Sequence, residues 1–309
     1  VNSAHEASRQ VYLSGELVPE AEAKISIFDS AVMLGDSVTE STRTFRHDPF
    51  RLKDHIDRLF RSMKVARIDP GHSPEELTRI TLDVLDANRS VMGEDDDCWI
   101  VHNISRGLLS HGPSPSQANP ATIMIFTSHL DLRGWAKYYI EGCHAVTSMS
   151  RAIPAQSLDA RIKNRSRLSY TIADAEARLV DPGAQCVLLD INGYVSENKG
   201  GNVFAVINGE VCTPTTENCL AGVSRQTVLD LAQAAGIPNR ECRLQMYDLY
   251  SADEVFFTST PYCMMPASRF NGLPVGDGQV GPVTKQLLQA WSELAGMDIV
   301  GQAQRQMTE

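Results

Sequence analysis

Two domains of mixed α/β (α+β) character, a smaller one followed by a larger one, are what the sequence predicts. Short runs with alternating apolar residues interleave with stretches of helical apolar spacing along the whole chain, as strands and helices in mixed layers require. At 309 residues the chain is about twice the size of a usual domain. A polar, turn-like connector near residue 131 sets the expected boundaries: residues 1–130, a linker at 131–136, and residues 137–309.

Composition narrows the function. With 42% hydrophobic and 21% charged residues the chain has ample material for a globular core. Its 38 acidic against 28 basic residues give a net charge of −10, so no general field draws it to nucleic acid or an anionic membrane. The seven cysteines are scattered and odd in number, which indicates neither a disulfide framework nor a zinc site and fits a reducing cytoplasm. No apolar run reaches membrane-spanning length, and the first ten residues lack the apolar core of a signal peptide.

Residues 11–19 read as a hairpin about Ser14-Gly15, residues 24–28 as a strand, and residues 29–43 as a tight turn at Gly35-Asp36 leading into another strand. Ile56, Leu59, Phe60 and Met63 form the apolar stripe of a helix over 55–68. Arg58 lies off that stripe, so the pattern alone makes it a solvated arginine. Ser73-Pro74-Glu75-Glu76 is a capping box, and Leu77, Ile80 and Val84 continue its helix. The acids Glu94 to Asp97 read as a solvated run, because metal ligands must converge in space. Residues 99–105 and 121–126 are expected strands around a turn-rich loop at 106–116.

In the second half, residues 143–148 restart a strand, and a helix after residue 167 carries Leu168, Ile172, Ala175 and Leu179 on one face. Residues 202–207 and 210–213 form a hairpin about Asn208-Gly209, with Glu197 just before it on backbone made pliable by Gly200 and Gly201. Val228, Leu231, Ala232 and Ala235 then mark a helix stopped by Gly236, with Ser224 as its expected N-cap and Gly222 allowing close backbone approach. A helix start offers N–H groups and partial positive charge, which suits a phosphate. A carboxylate so near a phosphate cup suggests a phosphorylated ring cofactor with a basic nitrogen. Residues 253–260 are a buried strand ending in the hydroxyls Thr258, Ser259 and Thr260. Gly276, Gly278 and Gly281 match a dinucleotide-binding fingerprint formally, but the flanking strands that site needs are missing, so they are a glycine turn.

Taken together, Gly35-Asp36, Glu40, Arg43, the His-x-x-Arg-Leu run at 55–59, the Lys-Asn-x-x-Arg-Leu run at 163–168, Glu197, Val223-Ser224 and Thr260 resemble the class IV aminotransferases, the pyridoxal-phosphate (PLP) enzymes of fold type IV. That family includes branched-chain and D-amino acid aminotransferases, (R)-selective amine transaminases and aminodeoxychorismate lyase, and the resemblance runs from about residue 25 to residue 291. It implies PLP between the two domains, a homodimer, and transfer of an amino group from an amino acid or amine to a 2-oxo acid in two half-reactions.

The resemblance implies a role for each matching residue. Lys163 matches the Schiff-base lysine, and its neighbours Arg161, Arg165 and Arg167 favour the neutral amine that attacks an aldehyde. Glu197 matches the carboxylate that keeps the pyridine nitrogen protonated. Arg58, Gly222, Val223, Ser224, Ser259 and Thr260 match the phosphate cup, Arg58 as a fork of donors on a dianion. Leu34, Thr39, Arg43, His102, Arg106, Pro261 and Tyr262 are the candidate substrate contacts. His111 stands without the arginine that accompanies it in D-amino acid aminotransferases, so that specificity is not supported.

Two rivals remain at this level. One is a lyase of the aminodeoxychorismate type, against which Glu40 counts because the lyase motif carries threonine there. The other is a non-catalytic PLP-binding protein, against which Lys163 and Glu197 together count. Five departures from the relatives bear on substrate: Leu34 and Thr39 replace aromatic residues, Ser41 replaces the second glycine of the same motif, Leu168 replaces a tyrosine, and Pro261 replaces an alanine whose backbone N–H holds the substrate carboxylate in branched-chain enzymes. Proline has no N–H to offer.

Overall fold

The computed structural model describes residues 8–93, 96–109 and 119–308, so the expectations on Glu94, Asp95 and His111 fall outside the described residues. The chain divides into two compact units, one running to Leu130 and including Ile162–Ser166, the other comprising Asp131–Arg161 and the chain from Arg167 onward.

The first unit begins with β1 (Gln10–Leu13) and β2 (Glu16–Pro19), a hairpin whose Ser14 and Gly15 both have positive φ. A one-turn helix, α1 (Ser30–Leu34), is capped by the Asp29 side chain and stopped by Gly35 at φ 65°. Then come β3 (Ser37–Phe45), β4 (Asp48–Pro49), α2 (Leu52–Ala66), α3 (Pro74–Ala87), β5 (Cys98–Ser105) and β6 (Thr122–His129). The strands form one antiparallel sheet in the order β2-β1-β6-β5-β3-β4. α2 and α3 bury Ile56, Leu59, Met63, Leu77 and Val84 against Val38, Ile100, Ile104 and Ile125 of the sheet. Ser73 and Glu76 make the expected capping box at the start of α3.

Residues 24–28 are not the expected strand. Ser26 accepts the Asp29 N–H with its carbonyl and the Phe28 N–H with its hydroxyl, a local turn that competes with sheet pairing. Of the acidic run, Asp97 is buried rather than solvated, because it accepts the Thr44 hydroxyl at 2.7 Å and the His47 N–H at 3.2 Å.

The second unit contains α4 (Arg133–Ala136), α5 (Tyr138–Glu141), β7 (Cys143–Arg151), α6 (Leu168–Val180), β8 (Gln185–Leu189), β9 (Asn202–Ile207), β10 (Glu210–Pro214) and α7 (Val223–Ala234). It continues through β11 (Asn239–Cys242), α8 (Met246–Tyr250), β12 (Glu254–Ser259), β13 (Cys263–Phe270), β14 (Leu273–Pro274), α9 (Pro282–Ala295) and α10 (Ile299–Thr308). Its mixed sheet has the order β11-β10-β9-β12-β13-β7-β8, with β14 on β13. Asn208 and Gly209 both take positive φ, as the two-residue turn between β9 and β10 requires.

Two helices differ instructively from the sequence pattern. The apolar face of α6 points outward, with Leu168 74% and Leu179 85% exposed, while Ala173 and Ala177 pack into the core. The start of α9 is filled by a side chain: Glu254 accepts the N–H groups of Val283 and Thr284, each at 2.8 Å, and a Cβ on Gly281 would lie 2.1 Å from that carboxyl carbon. The last glycine of the fingerprint-like run therefore makes room for Glu254 at the position a pyrophosphate takes in a dinucleotide site. Among the described residues, no helix is long and apolar enough to cross a membrane.

Candidate active site

In the first unit a cluster of candidate residues is built on β3 and α2. Strand alternation puts Val38 and Glu40 on the face that α2 covers, and helical spacing puts His55, Arg58 and Ser62 along the facing side of that helix. Glu40, fully buried, accepts Nε of Arg58 at 2.8 Å on one oxygen and Nη2 at 2.6 Å on the other, with His55 Nδ1 at 3.0 Å and the Ser41 N–H at 2.8 Å. Burial alone would raise its pKa, but the adjoining Arg58 and His55 hold it well below the usual carboxylate range. Burial also lowers the pKa of His55, against the pull of Glu40, and the positive charges of Arg58 and Lys163 push the same way. Arg58 is 4% exposed, so the solvated arginine expected from the helical pattern is corrected: a buried carboxylate turns it inward.

Lys163 comes to the same cluster by backbone bonds. Its N–H donates to Ser62 Oγ at 3.1 Å, its carbonyl accepts the Thr39 N–H at 2.8 Å, and Arg165 N–H donates to the Ser37 carbonyl at 3.0 Å. Residues 163–165 thus run antiparallel along the edge of β3, bridged at Val38 and Asn164. Gly35 permits the turn beneath them, since a Cβ there would meet Ser166 Oγ at 2.6 Å. Lys163 and Arg58, 105 positions apart by their numbers, are in one neighbourhood.

In the second unit Asn202 is the organising residue. It pairs with Thr258 across β9 and β12, bridges to Glu197, and donates Nδ2 to the Leu220 carbonyl at 2.8 Å. Its Oδ1 would lie 2.1 Å from a Cβ on Gly222. Glu197, the start of α7 and the end of β12 therefore converge. Glu197 is buried and receives the Tyr170 hydroxyl on Oε1 at 2.6 Å and the Leu220 N–H on Oε2 at 3.0 Å. The N-cap of α7 is Gly222 rather than Ser224, because extended backbone pressed against Asn202 has no room for a side chain. No side chain caps this helix, and its first intrahelical bond is Gln226 N–H to the Gly222 carbonyl, which leaves the amides of Val223 and Ser224 directed outward from the helix end. Ser259 Oγ donates to the Gly200 carbonyl at 2.6 Å, while the buried Thr258 hydroxyl has no partner among the described residues.

This donor set suits a phosphorylated ring cofactor: uncapped helix amides at a glycine cradle and hydroxyls for the phosphate, and a buried carboxylate for a basic ring nitrogen. The remaining candidate contacts scatter. Thr39 adjoins Lys163 through its backbone, and Leu34 is exposed at the end of α1. Arg43 is buried with its guanidinium 3.9 Å over Phe45 and 3.8 Å from Asp97. His102, paired with Glu40 across the sheet, lies under α3 against Thr81 at 2.9 Å. Arg106 salt-bridges Asp36 at 2.7 Å and caps the carbonyls of Ala66 and Arg67. Tyr262 is buried after Pro261 in the turn between β12 and β13, its ring 5.5 Å from Trp135 and its carbonyl bonded by the Tyr139 hydroxyl. Ser62, Tyr170 and Asn202 are site residues that sequence reasoning does not single out, and His55 enters it only as the first residue of the His-x-x-Arg-Leu run. The i, i+3, i+7 spacing of Arg167, Tyr170 and Asp174 is the one signal for Tyr170.

The sequence model of the family described as Amino-transferase class IV matches residues 37–270. The chain belongs to the class IV aminotransferases. It is similar to a putative branched-chain-amino-acid aminotransferase of Methanocaldococcus jannaschii, 32% identical over 92% of this chain and 96% of that protein. It is 31% identical to the branched-chain-amino-acid aminotransferase of Salmonella typhimurium, over 91% of each. Among solved structures, the Escherichia coli branched-chain amino acid aminotransferase superposes with a TM-score of 0.86 at 30% identity, covering 93% of this chain and 94% of that one. Another branched-chain amino acid aminotransferase, solved with pyridoxamine 5'-phosphate, superposes with a TM-score of 0.82 at 30% identity, covering 94% and 95%. The aminotransferase is thus a fold type IV, PLP-dependent transaminase.

Proposed function

We propose that this aminotransferase uses Lys163 and Glu197 as its catalytic pair and Arg58, the Val223 and Ser224 amides, Ser259 and Thr260 as phosphate ligands, and that ordinary branched-chain L-amino acids are poor donors for it. When bound, PLP supplies an aldehyde for the donor nitrogen and a ring that takes up the electrons of the bond broken at the donor carbon. Lys163 would hold the cofactor through its aldehyde carbon and, when its Nζ is free, would carry the proton taken from the donor carbon, while Glu197 would hold the proton on the ring nitrogen. The observation that carries the reading is the buried Glu197 beside the uncapped start of α7.

Substrate choice rests on Pro261. It stands in the turn after β12, where its fixed φ suits a turn, and it offers no amide to a carboxylate. The preferred donor therefore carries its carboxylate elsewhere or lacks one. The names of the relatives favour a second reading, an ordinary branched-chain enzyme. A donor panel of L- and D-amino acids, β-amino acids and (R)- and (S)-amines, followed by loss of the bound cofactor's yellow colour in single turnover, separates the two. Slow reaction with L-leucine and L-valine is expected; rates equal to the best donor establish the branched-chain reading.

We also infer a cytoplasmic homodimer. The outward apolar face of α6 and, in the first unit, the exposed Ile27, Val32, Met33 and Leu34 support association. The seven cysteines, with no disulfide among the described residues, support a reducing compartment. A single monomer-sized species in sedimentation at micromolar concentration contradicts the dimer.

A further inference from the structure

We propose that Tyr170 is a positioning residue for the reaction, fixing the Glu197 carboxylate so that it faces the cofactor's ring nitrogen. The inference rests on the role given to Glu197 above. Its basis is a polar stripe along α6 that grips the 197–199 segment at three points. The Tyr170 hydroxyl donates to Glu197 Oε1 at 2.6 Å, within the short range of hydrogen bonds to an ionised acceptor. One turn earlier Arg167 lays its guanidinium 3.7 Å over the Tyr170 ring and donates to the Lys199 carbonyl. One turn later Asp174 accepts Lys199 Nζ at 2.8 Å, and Arg178 lies against Asp174 at 3.1 Å.

The Tyr170 hydroxyl and the Leu220 N–H enter different oxygens of Glu197, so the carboxylate cannot rotate without breaking one of them. Burial, and then the adjacent Glu197, push the phenol far above its usual range, so Tyr170 keeps its proton and donates it to the Glu197 carboxylate. The ring packs with Ala173 and Ala177 against the core, which fixes the hydroxyl in turn. Tyr170 thus does for Glu197 what a rigid supporting group does for any catalytic carboxylate: it trades rotational freedom for orientation.

The test compares Tyr170→Phe, Glu197→Gln and the double variant as PLP-loaded proteins. Three quantities are read: the PLP dissociation constant, the pH midpoint of the bound cofactor's visible absorbance, and the single-turnover rate with the best donor. Phenylalanine keeps the ring and its packing. Tyr170→Phe is expected to cut the rate at least tenfold, to change the PLP dissociation constant less than twofold, and to move the absorbance midpoint by at least half a pH unit. In the Glu197→Gln background the same change should have little further effect on either. A Tyr170→Phe variant that titrates like the parent and turns over within twofold, while Glu197→Gln is inactive, overturns the inference and leaves Glu197 in place. Equal effects of Tyr170→Phe in both backgrounds reveal a merely structural tyrosine and also overturn it. Full activity in Glu197→Gln removes both the role of Glu197 and this inference.

Discussion

Replacing Arg58 with alanine separates two roles of one side chain. In the folded protein its Nε and Nη2 meet both oxygens of Glu40, which is fully buried. Removing the guanidinium leaves that carboxylate facing His55 and the Ser41 N–H. Breaking a buried ion pair from one side costs about 3–5 kcal/mol, because the orphaned charge stays desolvated. The proposed phosphate contact is a separate quantity, about 1.5–3 kcal/mol for a hydrogen bond to a charged group. At about 1.4 kcal/mol per decade this weakens PLP binding roughly 10- to 150-fold. Urea unfolding of the apo-protein reads the first number free of ligand stabilisation, and a fluorescence titration with PLP reads the second. Arg58→Lys keeps the charge but not the fork and should fall between parent and alanine in both. An apo-protein destabilised by less than about 1 kcal/mol refutes the buried pair as the determinant of this helix face. Lost stability with an unchanged PLP dissociation constant makes Arg58 purely structural.

Three further outcomes are expected. Borohydride reduction of the PLP-loaded protein should leave the pyridoxyl group on the peptide containing Lys163; recovery on another lysine removes the assignment. Burial lowers the pKa of His102 from 6.5 to about 4, so its stabilising effect is complete above pH 6.5 and is lost as pH falls toward 4. Between pH 7 and pH 5 that loss is about 2 kcal/mol, and His102→Asn should flatten the urea-derived stability profile of the apo-protein by this amount; an unaltered slope contradicts it. Gly222→Ala, whose Cβ would lie 2.1 Å from Asn202 Oδ1, should destabilise by about 1–3 kcal/mol and weaken PLP binding; wild-type affinity would show that the cradle tolerates a methyl group.

Much of the architecture was legible because it is local. The Asn208-Gly209 turn, the capping box at Ser73 and the stripe of Ile56, Leu59 and Met63 each depend on neighbours a few positions away, and each forms as expected. Residues 24–28 show the limit: alternation marks a segment able to pair, but pairing needs a free strand edge that sequence does not announce. The site splits along the same line. Chemically distinctive residues such as Lys163, Glu197 and Arg58 stand out through their motifs, whereas Asn202, Ser62 and the Leu220 amide act through contacts 18 to 101 positions away.

The reversal of α6 shows why a periodic pattern cannot by itself say which side of a helix is inside. Leu168, Ile172 and Leu179 make one apolar face and Arg167, Tyr170, Asp174 and Arg178 a polar one, so burial alone would turn the leucines inward. The observed helix instead buries Ala173 and Ala177 and directs the polar stripe at the segment that carries Glu197. Small alanines let the helix lie close to β7 and β8, which brings Tyr170 within hydrogen-bond reach of a carboxylate that cannot be buried without donors. A buried charge therefore outranks exposed leucines in setting the rotation of this helix. The leucines left outside are then a consequence of where the Glu197 carboxylate is held.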